Sequence, residues 1–197
     1  MHLFCFLAYP MPGIPPSMPP EADGCELIAR RASGTLAEQR AALAASMADA
    51  GWPEPTREDS GRPQMGARYC SLSHGGGWVA AVRGDRPVGV DVEGATDRLR
   101  KVRARFVGPA DQPVLEQFGD TLDTLCRLWT AKEAVFKAFG TEVDFLTGIQ
   151  WTQVSDDGAR LIAVQHDVEL TLRWEALDES ETTTWMALAV ALPKHRA

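Results

Sequence analysis

An α+β fold is what this sequence predicts, because its helix and strand signals fall in separate runs rather than alternating. Three stretches carry that prediction. Arg68 to Glu93 reads as short strands broken by glycine-rich turns, Leu122 to Phe139 repeats apolar residues at helical spacing, and Ile149 to Leu192 reads as an antiparallel meander. The 197 residues are 45% hydrophobic and 24% charged, an ordinary globular profile with length enough for a real core.

A net charge of −7 and a pI of about 5.1 argue against a generic nucleic-acid or anionic-membrane binder, while local basic clusters remain able to meet phosphates. Four cysteines, Cys5, Cys25, Cys70 and Cys126, are scattered without CxxC spacing or a Cys/His cluster. Reduced thiols and a cytoplasmic location are therefore expected, with neither a zinc site nor a disulfide framework. The apolar run Leu3 to Ala8 has no Lys or Arg before it and is too short for a signal sequence or a membrane span. Leu3 to Tyr9 reads instead as a first strand.

Pro10 to Pro20 holds six prolines, so it reads as an extended connection or a polyproline-type ligand. Thr35 and Glu38 have capping-box spacing, and a run of helix formers follows until Gly51. This helix is expected to turn Leu36, Leu43 and Met47 inward. Arg30, Arg31 and Arg40 are solvated charges, or else the first third's basic group for a ligand phosphate. Pro53 to Gly66, polar and rich in breakers, reads as a loop.

Arg68–Ser73, Trp78–Val82 and Val88–Glu93 read as strands, and a plain hairpin accounts for their spacing. Gly75, Gly76 and Gly77 follow Ser73 and His74. Such glycines let a backbone approach something closely or offer N–H groups to an anion. As a nucleophile–base couple, Ser73 and His74 lack a third member.

Asp91 and Glu93 sit two apart in the third strand, so both carboxylates share one face while Val88, Val90 and Val92 fill the core. Paired acids repel unless a cation or protons intervene. Hard oxygen ligands of this kind suit Mg²⁺; the bland alternative is a solvent-facing acidic edge. Glu133 and Lys137 sit four apart in Trp129–Gly140, one turn from each other. Alone they read equally well as a surface ion pair. Combined with Asp91 and Glu93, Glu133 becomes a third carboxylate around one Mg²⁺, with Lys137 and His74 facing phosphates. That constellation suits phosphoryl transfer. Trp129 and Phe136 anchor the helix, Gly140 offers an αL stop, and Lys132 reads as solvated.

Ser71–Glu93 (SLSHGGGWVAAVRGDRPVGVDVE) followed by Leu128–Gly140 (LWTAKEAVFKAFG) resembles the signature of the 4′-phosphopantetheinyl transferase superfamily, surfactin-synthetase-activating type. Gly61-Arg62-Pro63 is similar to a Gly-Lys-Pro that often precedes the Ser-His segment, so the resemblance covers about residues 61–140. It implies two similar α+β halves related by a pseudo-twofold, with the active site between them. The expected division is 1–83, a scaffold with part of the coenzyme A site, and 84–197, carrying the metal site. No repeat is visible in the residues themselves. The resemblance further implies Asp91, Glu93 and Glu133 as Mg²⁺ ligands, and Ser73, His74, Lys137 and Arg62 as contacts for coenzyme A. Its reaction is transfer of 4′-phosphopantetheine to a serine of an acyl, peptidyl or polyketide carrier protein, with release of 3′,5′-ADP. Asp91, Glu133 and Lys137 are then the catalytic residues. One departure stands out. Family members often carry Phe-Ser-x-x-Glu after the acidic strand, whereas here Phe106 leads to Ala110 at the Glu position, with Asp111 one residue further on.

Arg98, Arg100, Lys101, Arg103 and Arg105 put five cations within eight residues of an acidic chain. They form a solvated helix face or a docking strip for an acidic carrier protein. The last third reads as strands Ile149–Val154, Leu161–Gln165, Val168–Trp174 and Thr182–Leu192, packed on the Trp129 helix, with His166 in a turn. A monomer is expected. The alternatives to transfer are a degenerate module that only grips coenzyme A or a carrier, and a Mg²⁺-dependent nucleotide phosphohydrolase.

Overall fold

Two sheets of one topology make up the chain. A computed structural model describes residues 24–57, 62–178 and 182–193; the expected Leu3–Tyr9 strand, the proline stretch and Gly61 lie outside them. The first sheet contains β1 (Cys25–Arg31), β2 (Thr56–Arg57), β3 (Pro63–Met65), β4 (Arg68–Gly75) and β5 (Trp78–Gly84), in the order β1-β5-β4-β3-β2. The second contains β6 (Val88–Gly94), β7 (Ile149–Val154), β8 (Gly158–Ala163), β9 (Val168–Asp178) and β10 (Thr184–Ala191), in the order β6-β10-β9-β8-β7. All pairings are antiparallel. Adding five to each strand of the first order reproduces the second. The duplicated α+β architecture is therefore present in the backbone although the residues show no repeat.

Each half crosses from its first strand to its meander through helix. In the first half this is α1 (Leu36–Asp49), opened by the Thr35/Glu38 capping box, with Thr35 N donating to Glu38 Oε2 at 2.7 Å. In the second it is α2 (Arg98–Val102), α3 (Gln112–Phe118) and α4 (Leu122–Phe139), of which α3 is not foreseen in the sequence. Gly140 ends α4 at φ 90° with an extended ψ rather than an αL stop.

Alternation in the strands fixes the layers. Trp78, Ala80 and Val82 of β5 meet Val88, Val90 and Val92 of β6 and Met186, Leu188 and Val190 of β10 between the sheets. The outer face of the first sheet packs Val79 and Ala81 on Leu43 and Met47 of α1. The outer face of the second packs Leu161, Leu170, Leu172 and Ala187 on Leu125, Leu128, Ala131 and Val135 of α4. The layers thus run α1, first sheet, second sheet, α4.

Several expectations change. Leu36 is 44% exposed, like Ala37 and Glu38 in the first turn of α1, whereas Leu43 and Met47 are buried as foreseen. Pro53–Gly66 is not wholly loop but contributes β2, at one edge of the first sheet, and β3 beside it, short strands that no alternation pattern announces. Val88–Gly94 does not extend the β4–β5 hairpin. After the turn the chain changes sheets, and β6 pairs with β10. Lys132 is fully buried, not solvated.

Candidate active site at the seam between the sheets

β6 is the edge strand of the second sheet, and β4 of the first sheet crosses it there. Val90 N and Val92 N donate to Ser71 Oγ and Ser73 Oγ, each at 3.1 Å, so two serine hydroxyls cover an edge that no strand among the described residues pairs. The crossing is close: a Cβ on Gly75 would lie 2.1 Å from Val92 O. Gly75 therefore serves this approach of backbone to backbone, while Gly76 and Gly77, at φ 55° and 78°, form the turn into β5. On its other side β6 is pressed by α4, and a Cβ on Gly89 would lie 1.9 Å from Ala134 O.

Gly89, Asp91 and Glu93 alternate with the core valines, so the acids face α4 as their spacing predicts. Asp91 is 4% exposed. Its Oδ1 accepts from Ser73 Oγ at 2.8 Å and from Lys137 Nζ at 2.6 Å, and Lys137 Nζ also donates to Ser73 Oγ at 2.9 Å. Asp91 Oδ2 is buried without a hydrogen-bond partner among the described residues. Glu93 Oε1 accepts from the Trp129 indole N–H at 3.3 Å.

The acids crowd one another electrostatically. Burial raises the Glu93 carboxyl above its usual range, and the Asp91 charge raises it further. Glu133 is pushed up to about 7, first by burial and then by Asp91, with Lys137 and Arg98 opposing. Arg98 of α2 is the further cation whose charge reaches both glutamates. Ionising all three carboxyls together is therefore disfavoured, by burial first and by their mutual repulsion second.

Behind the site a buried ion pair sets the helix. Lys132 Nζ donates to Asp111 Oδ2 at 2.8 Å, Phe106 O at 2.7 Å and Phe145 O at 2.5 Å. Asp111 accepts in addition from Trp151 Nε1 at 2.9 Å and Gly108 N at 2.8 Å. Asp111, unexposed and fully engaged, is therefore not available to stand in for the absent glutamate at Ala110. Lys132 and Glu133, neighbours on α4, point one into this lock and the other toward the acids. Phe106 and Phe145 meet Trp129 edge-on at 5.2 and 5.7 Å, which holds the helix face that carries Glu133.

The structure thus brings Ser73, Asp91 and Lys137 into direct contact, with Glu93 and Glu133 beside them. His74 is exposed on the opposite face of β4 from Ser73. Arg62 donates to Ala138 O near the C-terminal end of α4. Arg30 donates to Ser46 Oγ at 3.3 Å and Arg31 pairs with Asp178, while Arg40 is exposed. The hydrogen bond from Trp129 to Glu93 is one of the contacts that sequence reading missed, with those of Ser73 and Lys137 to Asp91; the i, i+4 spacing of Trp129 and Glu133 was its signal.

Among the described residues no three acids or imidazoles are grouped closely enough to hold a cation as they stand. The donor set nonetheless fits a hard divalent cation: among the described residues Asp91 Oδ2 is buried and unpartnered, burial and the Asp91 charge disfavour ionisation of two further carboxyls, which a cation would relieve, and all donors are oxygen.

A duplicated α+β fold with acids and a lysine at the seam of its halves defines a narrow class of protein. The family model of the 4′-phosphopantetheinyl transferase superfamily matches residues 87–191, and the chain belongs to that superfamily. The matched segment begins just before β6 and ends with β10, so it includes Asp91, Glu93, Glu133 and Lys137, while Ser73 comes from the half outside it. The chain is also 28% identical over 127 residues to the 4′-phosphopantetheinyl transferase psf-1 of Bacillus pumilus, a match covering 61% of this chain and 54% of that protein. It thus spans about half the length of that relative. No helix among the described residues is long and apolar enough to cross a membrane.

Proposed function

We propose that this protein transfers the 4′-phosphopantetheine moiety of coenzyme A to a serine of an acyl, peptidyl or polyketide carrier protein, with Mg²⁺ required and 3′,5′-ADP released. The observation that carries the reading is the contact of Asp91 with Lys137 and Ser73 beside two acids of raised pKa, at the seam between the halves. Asp91, Glu93 and Glu133 would hold Mg²⁺, which when bound neutralises charge on the diphosphate of coenzyme A. Lys137 donates to a phosphate oxygen with Ser73 beside it, whereas His74, on the other face of β4, and Arg62, on the Ala138 carbonyl, would meet coenzyme A away from that cluster. The carrier serine oxygen forms a bond to the β-phosphorus as the bond from that phosphorus to the bridging oxygen breaks. The serine proton passes to a Glu133 carboxylate oxygen, and the bond's electron pair leaves on the bridging oxygen of 3′,5′-ADP, to which Lys137 donates.

The division into 1–83 and 84–197 fits the change of sheets between β5 and β6. Arg98, Arg100, Lys101 and Arg105 are exposed beside the site, which supports a docking strip for an acidic carrier; Arg103 is half-buried and pairs with Asp120 at 2.9 Å. A monomer suits a fold that holds both halves in one chain. Buried Cys70 and Cys126, neither in a disulfide, suit the cytoplasm.

Commitment of Asp111 to Lys132, with Ala110 beside it, favours one second reading: a module that grips coenzyme A or a carrier without transfer. A mass increment on an apo carrier protein incubated with coenzyme A and Mg²⁺ separates the two. Release of phosphopantetheine without carrier would mark a phosphohydrolase instead.

A further inference from the structure

The ammonium of Lys137 sits where a cation serving Asp91 would have to be. It lies 2.6 Å from Asp91 Oδ1 and 2.9 Å from Ser73 Oγ, and Ser73 Oγ is already occupied by the Val92 N–H. The other Asp91 oxygen is buried and has no hydrogen-bond partner among the described residues, so one oxygen of this carboxylate is paired and the other is not. A divalent cation binds carboxylate oxygen at about 2.1 Å. Bound to either oxygen of Asp91, it would stand within a few ångströms of Lys137, with two positive charges competing for one carboxylate.

We propose that Lys137 is a built-in occupant of the cation site, a latch that must leave Asp91 before a divalent cation settles there. The inference rests on the transferase reading for the identity of the anion that receives the freed lysine, and it goes beyond that reading in the order and coupling of binding. Lys137 is free to make the move: its side chain is 27% exposed, whereas that of Asp91 is 6% exposed. It stands on the last turn of α4, and no other acid pairs with it among the described residues. A lysine displaced from Asp91 still faces Glu93 and Glu133, but a cation bound there engages those acids, and the diphosphate of coenzyme A supplies a further anion. Cation and diphosphate therefore bind as a coupled pair. Each alone meets a site still latched, and each favours the unlatched arrangement that the other needs. Such coupling is reciprocal by linkage. The latch also gives the metal-free protein a neutralised Asp91, so the seam between the sheets holds together before substrate arrives.

The test is calorimetric titration of Mg²⁺ into chelator-stripped wild type, Lys137→Met and Lys137→Arg, with no phosphate present. Lys137→Met should bind Mg²⁺ at least about tenfold more tightly, and Lys137→Arg, which keeps the charge, should stay near wild type. Lys137→Met that retains the wild-type circular dichroism spectrum yet binds Mg²⁺ no more tightly overturns the latch. Wild type alone provides an arm that does not depend on the variant folding. Saturating coenzyme A, corrected for its own Mg²⁺ binding, should raise Mg²⁺ affinity by about tenfold, and independent binding of the two overturns the proposal. Failure here is distinguishable from failure of the transferase reading. Carrier modification by wild type without coupling removes the latch and leaves the enzyme, whereas tighter Mg²⁺ binding by Lys137→Met together with no carrier modification by wild type leaves the latch and removes the enzyme.

Discussion

Ser73 and Asp91 belong to different sheets, yet the serine hydroxyl donates to the aspartate at 2.8 Å while accepting from Val92 N at 3.1 Å. One hydroxyl closes the edge of β6 and orients the carboxylate at the centre of the site. Ser73→Ala leaves a buried N–H and a buried carboxylate short of partners, and should cost about 1–3 kcal/mol. Thermal denaturation should register that as a fall of several degrees, together with a lower kcat/KM. An unchanged melting temperature would remove Ser73 from the seam.

The Lys132–Asp111 lock should matter to stability more than any exposed pair. Lys132→Met strands a buried carboxylate and should destabilise by about 3–5 kcal/mol, whereas adding Asp111→Asn in the same chain should recover part of that loss. Denaturant unfolding of both single variants and the double variant checks this, and additive losses would contradict it.

Much of the site was legible because its spacings are short. Asp91 and Glu93 declare a shared face by the period of two, and Glu133 and Lys137 by the period of four. The contacts that complete the site run between elements. Nothing in the residues places Ser73 opposite Asp91 rather than on a phosphate, since β4 and β6 are joined by a crossing of sheets and not by a ladder. Lys132 looked solvated because a helix reading cannot see that Phe106, Asp111 and Phe145 close around its tip. The duplicated topology was hidden for a related reason: alternation in β5 and β10 says which face is buried, not which strand lies alongside. CELIARR, the β1 sequence, ends in two arginines and carries too little alternation to be read as a strand.

The Glu133 carboxyl gives the metal-free protein a pH signature. Its folded pKa is raised from 4.5 to about 7, burial first and Asp91 next, so the folded state holds the proton more tightly than the unfolded chain. The resulting stabilisation is complete below about 4.5 and lost as pH rises through about 7. In chelator, the melting temperature should therefore decline from about pH 5 to about pH 8, and Glu133→Gln should flatten that decline. Equal slopes for the two proteins would count against Glu133 lying among the acids.

Docking by the basic strip predicts a salt-sensitive effect on carrier recognition. Arg100→Glu with Lys101→Glu should raise KM for the carrier at low ionic strength and leave kcat nearly unchanged, with the difference shrinking as salt screens the surface. Unaltered KM at low salt would place the carrier elsewhere.

Mass spectrometry of an apo carrier protein incubated with coenzyme A and Mg²⁺ tests the central claim most directly. Wild-type protein should add one phosphopantetheine to the carrier, and chelation or Asp91→Ala should abolish the increment. An unmodified carrier across fatty-acid, polyketide and peptide pathways, or an Asp91→Ala protein as active as wild type, would contradict the account.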